Sequence, residues 1–316
     1  MRELLEVQAG VVSRAQMITA GATDNDLRRL VRRRRLARVH PRVYVDHTGP
    51  LTWAQRAWAA TLSCTPAALA DESAIRAAEG PGRRRHDDGR PILVAVDHTR
   101  RVRAPVGVVA VRTVGLDDKV LWNASPPRMR TEHAVVRMAS KASSDIDAVA
   151  FLADAVGARM TTGSRLADAL ASCARIGRRP FLEAVIADVT AGTCSTLERG
   201  YLDRVERPHA LPTATRQFRD SVNGPLYRDA LYVDLDLVVE LDGRMYHSVA
   251  RRHDADLERD LDAAVARLAT IRLGWGQVFD RPCRTAASLG RIMAAHGWAG
   301  EVARCPRCPP TYPIAA

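Results

Sequence analysis

Strands that look buried rarely carry carboxylates, yet the stretch 227–247, YRDALYVDLDLVVELDGRMYH, sets acidic residues at period-two spacing inside two apolar runs. Tyr227, Asp229 and Leu231 alternate with Arg228, Ala230 and Tyr232, and Leu237 to Leu241 is apolar except for Glu240. The pair reads as a β-hairpin closed near Asp234 and Leu235. A loop of two or four residues centred there puts Asp229 directly opposite Glu240, with Cβ atoms about 4.5–5.5 Å apart. Asp242, two residues on, shares their face, while Asp234 and Asp236 fall in the turn. Carboxylates so placed repel, and one stays protonated near neutral pH unless a cation lies between them. A divalent metal is the simplest such cation.

The rest of the chain restricts what this hairpin can serve. A length of 316 residues allows a sizeable core and two or three domains. No apolar run approaches 18 residues and the start, MRELLEVQAG, lacks the apolar segment of a signal peptide, so the sequence predicts no membrane association and a cytoplasmic location. Six scattered cysteines make no disulfide framework. The net charge of +11 favours a polyanionic partner, and it is uneven. Residues 1–50 hold 10 Arg against 5 acidic residues, residues 51–190 hold 20 Lys and Arg against 15, and residues 191–316 hold 17 against 16. Positive charge thus gathers in front of the acidic hairpin, and all but Lys119 and Lys141 of it is guanidinium, which suits phosphate.

At the front, a short helix over Arg2 to Val7 precedes the capping box Ser13-Arg-Ala-Gln16, and Thr23 with Asp26 repeats the pattern after Gly21. These signals predict a helix-turn-helix whose third helix buries Leu27, Leu30 and Val31. Leu36 to Val39 and Val43 to Val45 flank His40-Pro41-Arg42 as a hairpin, the wing of a winged helix. DNA is the expected partner. Arg28, Arg29, Arg32 and Arg33, off the apolar face, and Arg42 on the wing are the candidates for phosphate or base contacts. The acidic start Asp24-Asn25-Asp26 opposes that use.

The middle region, 51–190, is expected to be mixed and mainly helical. Trp53, Trp58, Leu62, Leu69 and Ile75 follow a helical pattern broken at Pro66, and Ile92 to Val96 and Val106 to Val114 read as strands. A helix begins near Thr131, and the chain is helical to Val189 with breaks at Gly157, Thr161 to Gly163 and Gly177. The large apolar side chains here read as core. No phosphate loop, G-x-S-x-G or zinc spacing occurs in this region. From residue 191 the order is helix, three strands, helix, strand, helix. The first helix opens with Ser195-Thr-Leu-Glu198, a further capping box, and the fifth element is a charged helix over Asp254 to Leu268.

That order, with Asp229, Glu240-Leu-Asp242-Gly243 and His247, resembles the very short patch repair endonuclease-like proteins, which include the DUF559 domains of the PD-(D/E)XK nuclease superfamily. The likeness spans residues 193–297. It implies a restriction-endonuclease-like αβββαβ core over 191–303 that hydrolyses phosphodiester bonds with Mg²⁺ or Mn²⁺ held by Asp229 and Glu240. Glu198 takes the place of the first-helix carboxylate. Asp242 stands where the superfamily has a lysine, and no lysine follows residue 141. That leaves His247 or the metal to activate water. Residues 1–50 resemble the winged helix of AbiEi-type antitoxins, which implies a DNA-binding head in defence, toxin–antitoxin or repair systems. The alternative is a DNA-binding regulator with an inactive nuclease fold. Gln277 is a further candidate to approach the site from the last strand. Cys305-Pro-Arg-Cys308 is half of a zinc ribbon with no further ligands at the usual spacing, so 304–316 reads as a flexible tail without metal.

Overall fold

The computed structural model describes residues 2–80, 88–191, 195–220, 226–242 and 269–308. The chain is mixed α+β and divides into two compact units, Met1–Met138 and Ala139–Ala316. Among the described residues no helix is long and apolar enough to cross a membrane.

The first unit opens with α1 (Arg2–Val7), β1 (Val11–Ser13), α2 (Arg14–Thr19), α3 (Asp24–Arg32), β2 (Ala37–His40) and β3 (Val43–Val45). Both capping boxes form: the Ser13 hydroxyl accepts the Gln16 amide and the Thr23 hydroxyl accepts that of Asp26, each answered by the N3 side chain. Gly21, at φ +87°, turns the chain between α2 and α3. Leu27 packs with Val12, Met17 and Leu36, and Leu30 closes over them. Val31, expected in this face, is instead 37% exposed. The strands form an antiparallel sheet in the order β1-β3-β2.

The remainder of this unit holds more sheet than its sequence suggests. Besides α4 (Trp53–Ser63), α5 (Asp71–Glu79), β5 (Ile92–Asp97), β6 (Val108–Thr113) and α6 (Thr131–Ser140), it contains β4 (Ala68–Leu69), β7 (Val120–Leu121) and β8 (Arg128–Met129). The five strands run in the order β6-β5-β4-β8-β7. Trp58, Leu69, Val94 and Met129 are buried, as core residues should be.

The second unit begins with α7 (Asp145–Gly157), α8 (Gly163–Ala171), α9 (Arg179–Ala191) and α10 (Ser195–Tyr201). A π-helical turn, Leu202–Glu206, and a 3-10 turn, Arg207–His209, continue α10. A four-stranded sheet follows: β9 (Thr215–Asp220), β10 (Leu226–Tyr232), β11 (Leu237–Leu241) and β12 (Ala269–Leu273), in the order β12-β11-β10-β9. β9, β10 and β11 are antiparallel, whereas β12 runs parallel to β11. The last helix is Pro282–Ala295. The expected charged helix over 254–268 lies outside the described residues.

The β10–β11 hairpin has the register read from the sequence. Ala230 faces Val239, Leu231 faces Val238 and Tyr232 faces Leu237. The four-residue connection is a 3-10 turn, Val233–Leu235, followed by Asp236 at φ +48°, so Asp234 and Asp236 are turn residues.

Candidate functional site

In the second unit, the hairpin register continued by one residue places Asp229 across from Glu240 on one face of the sheet. The two carboxylates are held differently. Asp229 Oδ2 accepts the backbone amide of Leu241 at 2.6 Å. Glu240 Oε2 accepts Arg272 Nε at 3.1 Å, and Arg272 is its register partner on the parallel strand β12. Nothing in the hairpin pattern of the sequence pointed to Arg272, which lies on a strand outside the hairpin.

Burial pushes the Asp229 carboxyl above the ordinary carboxylate range against the Leu241 hydrogen bond, and the charges of Glu240 and Asp242 push it further. Glu198, on α10, is raised by burial and then by the charge of Asp229. The Arg216 guanidinium opposes both shifts. Four carboxylates, from α10, β10, β11 and the residue after β11, therefore share one electrostatic environment.

The Thr196 amide of α10 donates to Asp188 Oδ2 of α9 at 2.6 Å, which ties the helix carrying Glu198 to α9. Gln277 lies in the π-helical turn Gly276–Asp280 after β12, its Oε1 accepting the Gly274 amide at 3.3 Å. His247 lies outside the described residues.

Beneath the site runs a buried chain of polar groups that the sequence did not signal. Tyr201 Oη donates to Tyr232 Oη (2.7 Å), Tyr232 Oη donates to Glu206 Oε2 (3.0 Å), and Arg216 Nη2 reaches the same oxygen at 2.7 Å. Glu206 is 2% exposed. Arg216 also lies over the Tyr201 ring, 5.3 Å from its centroid. The network fastens α10 and its π-helical turn, and with them Glu198, to the sheet that carries Asp229.

Cys305 and Cys308 are not isolated tail residues. His209, Cys283, Cys305 and Cys308 bring one ligand atom each to within 4.8 Å of one another. The Cys305 Sγ lies 3.6 Å from both the Cys283 and the Cys308 Sγ, and Cys308 Sγ is 3.6 Å from His209 Nε2. The Ala303 amide donates to the His209 carbonyl at 2.8 Å, docking the terminal segment there. Burial and the adjoining thiols of Cys308 and Cys305 push the Cys283 thiol up to about 12.

In the first unit, Arg28, Arg29, Arg32, Arg33 and Arg42 are all exposed. Arg28 Nη1 donates to Asn25 Oδ1 at 2.9 Å, and Arg29 pairs with Asp26 at 2.7 Å. Asp24 is bound by Arg14 of α2 at 2.6 Å. The Arg14 hydrogen bond holds Asp24, and the Thr23 hydroxyl holds Asp26, below the usual carboxylate range. The acidic amino end of α3 is thus compensated locally. The Arg42 carbonyl accepts the Arg14 amide at 2.7 Å, which ties the β2–β3 turn to α2.

No protein-family model matches the chain, and no curated protein matches its sequence.

Proposed function

We propose that this protein is a metal-dependent DNA endonuclease, with a restriction-endonuclease-like core in the second unit and a winged-helix DNA-binding module at the front of the first. The observation that carries the reading is the raised carboxyl of Asp229, which faces Glu240 across a hairpin of a mixed four-stranded sheet and whose charge in turn raises Glu198 on α10. Carboxylates pushed up by burial and by each other form a site whose charge a divalent cation would offset. Among the described residues, a helix, three strands, a further strand parallel to the third and a last helix support such a core, the helix expected over 254–268 lying outside them. Asp229 and Glu240 would hold Mg²⁺ or Mn²⁺ on oxygen, as these hard cations require. The metal, when bound, supplies a polarised water and charge neutralisation at the phosphate. Glu198 and Asp242 orient the surrounding waters, and His247 is the candidate proton carrier.

The experiment is Mg²⁺-dependent nicking of supercoiled plasmid by the full chain. Glu240→Ala is expected to lower the rate by at least about 100-fold, the scale of losing a group that stabilises transition-state charge. Nicking that survives this change at near wild-type rate removes the assignment.

A second reading, a DNA-binding regulator with an inactive nuclease fold, is favoured by the Glu240–Arg272 ion pair and by an aspartate in the lysine position. It predicts DNA binding with no cleavage in any divalent metal. Both readings share the arginine face. Arg32→Ala with Arg33→Ala is expected to weaken binding to duplex DNA and to flatten the slope of log K against log salt by about 0.9 for each lost phosphate contact. Fluorescence anisotropy across a salt series measures it, and an unchanged slope would place the DNA elsewhere.

A further inference from the structure

We propose that His209, Cys283, Cys305 and Cys308 form a structural Zn²⁺ site that clamps the C-terminal segment onto the last helix and the turn after α10. The proposal stands on the donor set, its spacing and its supports, and does not depend on the nuclease reading. Three thiols and an imidazole are the ligands of closed tetrahedral zinc sites, with Zn–S of about 2.3 Å and Zn–N of about 2.0–2.1 Å. A tetrahedron with those bond lengths has sulfur–sulfur edges of about 3.8 Å and sulfur–nitrogen edges of about 3.6 Å. Three of the six edges, two S···S and one S···N, are 3.6 Å, close to those values, and all lie within 4.8 Å. They are much longer than a disulfide bond of about 2.05 Å.

Each ligand is presented by a different device. His209 is fully buried, and its Nδ1 lies 2.9 Å from the Val205 carbonyl. With the proton on Nδ1 donated to that carbonyl, Nε2 is left as the free lone pair, the arrangement usual for metal-bound histidines. Cys283 is held in the first turn of the helix Pro282–Ala295. Cys305 and Cys308 are drawn together by a turn in which the Cys308 amide donates to the Cys305 carbonyl at 3.0 Å. Three thiols converge here on one buried imidazole with no cationic side chain among the four, and a dication is what allows the sulfurs to ionise together. Soft sulfur ligands in tetrahedral disposition select zinc over Mg²⁺ or Ca²⁺.

The test is the metal content of the full chain purified under reducing conditions, read by mass spectrometry of the elements, together with the visible spectrum after Co²⁺ substitution. The expected result is one equivalent of zinc per chain and the intense ligand-field bands of tetrahedral, thiolate-rich Co²⁺. Cys305→Ser with Cys308→Ser is expected to bring the zinc content close to zero, while Cys173→Ser, outside the cluster, retains the full equivalent. Wild-type protein without zinc and without the cobalt bands would overturn the proposal. So would full zinc content in the double variant, or an intact Cys283–Cys305 or Cys305–Cys308 disulfide in metal-free protein. The cobalt spectrum needs only the wild-type chain, so a variant that fails to fold does not shelter the idea. Loss of nicking in Glu240→Ala with zinc retained keeps this site and the carboxylate site separable.

Discussion

Replacing Glu206 with alanine is expected to cost about 3–5 kcal/mol, because it strands one half of a buried ion pair. Glu206 is 2% exposed and receives both the Arg216 guanidinium and the Tyr232 hydroxyl on one oxygen. Its loss leaves a charge and a phenol without their acceptor, and Tyr201, bonded to Tyr232, loses its place in the chain. Arg216 keeps 28% of its side chain in solvent, which puts the expected value at the lower end of that range. Glu206→Gln, which keeps the shape and an acceptor oxygen, should cost less, about 1–3 kcal/mol. Denaturant unfolding of the full chain, followed on the transition of the second unit, measures both. A loss below about 1 kcal/mol for the alanine variant would mean that the network is dispensable. The predicted loss matters for function because the π-helical turn carrying Glu206 continues the helix that carries Glu198.

What the sequence made legible, and what it did not, follows the range of the interactions. The β10–β11 register could be computed because a short turn and the two-residue pleat fix it locally. The capping boxes at Ser13 and Thr23 formed for the same reason, being closed within four residues. Arg272 was invisible as the partner of Glu240 because β12 enters by a crossover, and no turn geometry sets the register of a parallel strand that returns 28 residues later. Strands β4, β7 and β8 are two residues long, too short for alternation to register. The Asp188 carboxylate that accepts the Thr196 amide comes from a separate helix, a contact that no local capping pattern could signal. The His/Cys cluster is the extreme case. Its pairs are separated by 99 and 22 residues, so spacing rules written for contiguous zinc modules could find only the Cys305–Cys308 half.

Asp229→Asn should remove Mg²⁺-dependent nicking and, at neutral pH, make the protein more stable. The sign comes from burial. The folded-state carboxyl of Asp229 is raised above its unfolded value, so it binds its proton more tightly in the folded chain. Such a group contributes stability that is complete below the unfolded pKa and is lost as pH rises through the folded one. Above both, an ionised Asp229 is a cost, set by desolvation and by the charges of Glu240 and Asp242. Asparagine has nearly the same shape, and its Oδ1 can still accept the Leu241 amide that Asp229 takes at 2.6 Å. The variant is therefore expected to melt above wild type near neutral pH, and the gap should close as the pH falls below about 4, where the wild-type carboxyl is protonated in both states. Mg²⁺ adds an independent sign. A cation bound only by the folded protein stabilises wild type by about 2.7 kcal/mol at 100 times its dissociation constant, and should do much less for the variant. Thermal melts over a pH series with and without Mg²⁺ separate the outcomes. A variant that melts lower at neutral pH, with no Mg²⁺ response in either protein, would make Asp229 a structural carboxylate and leave the DNA-binding regulator as the surviving reading. A variant that melts higher and has lost both nicking and the Mg²⁺ response would show a carboxylate kept at a cost to the fold for what it binds.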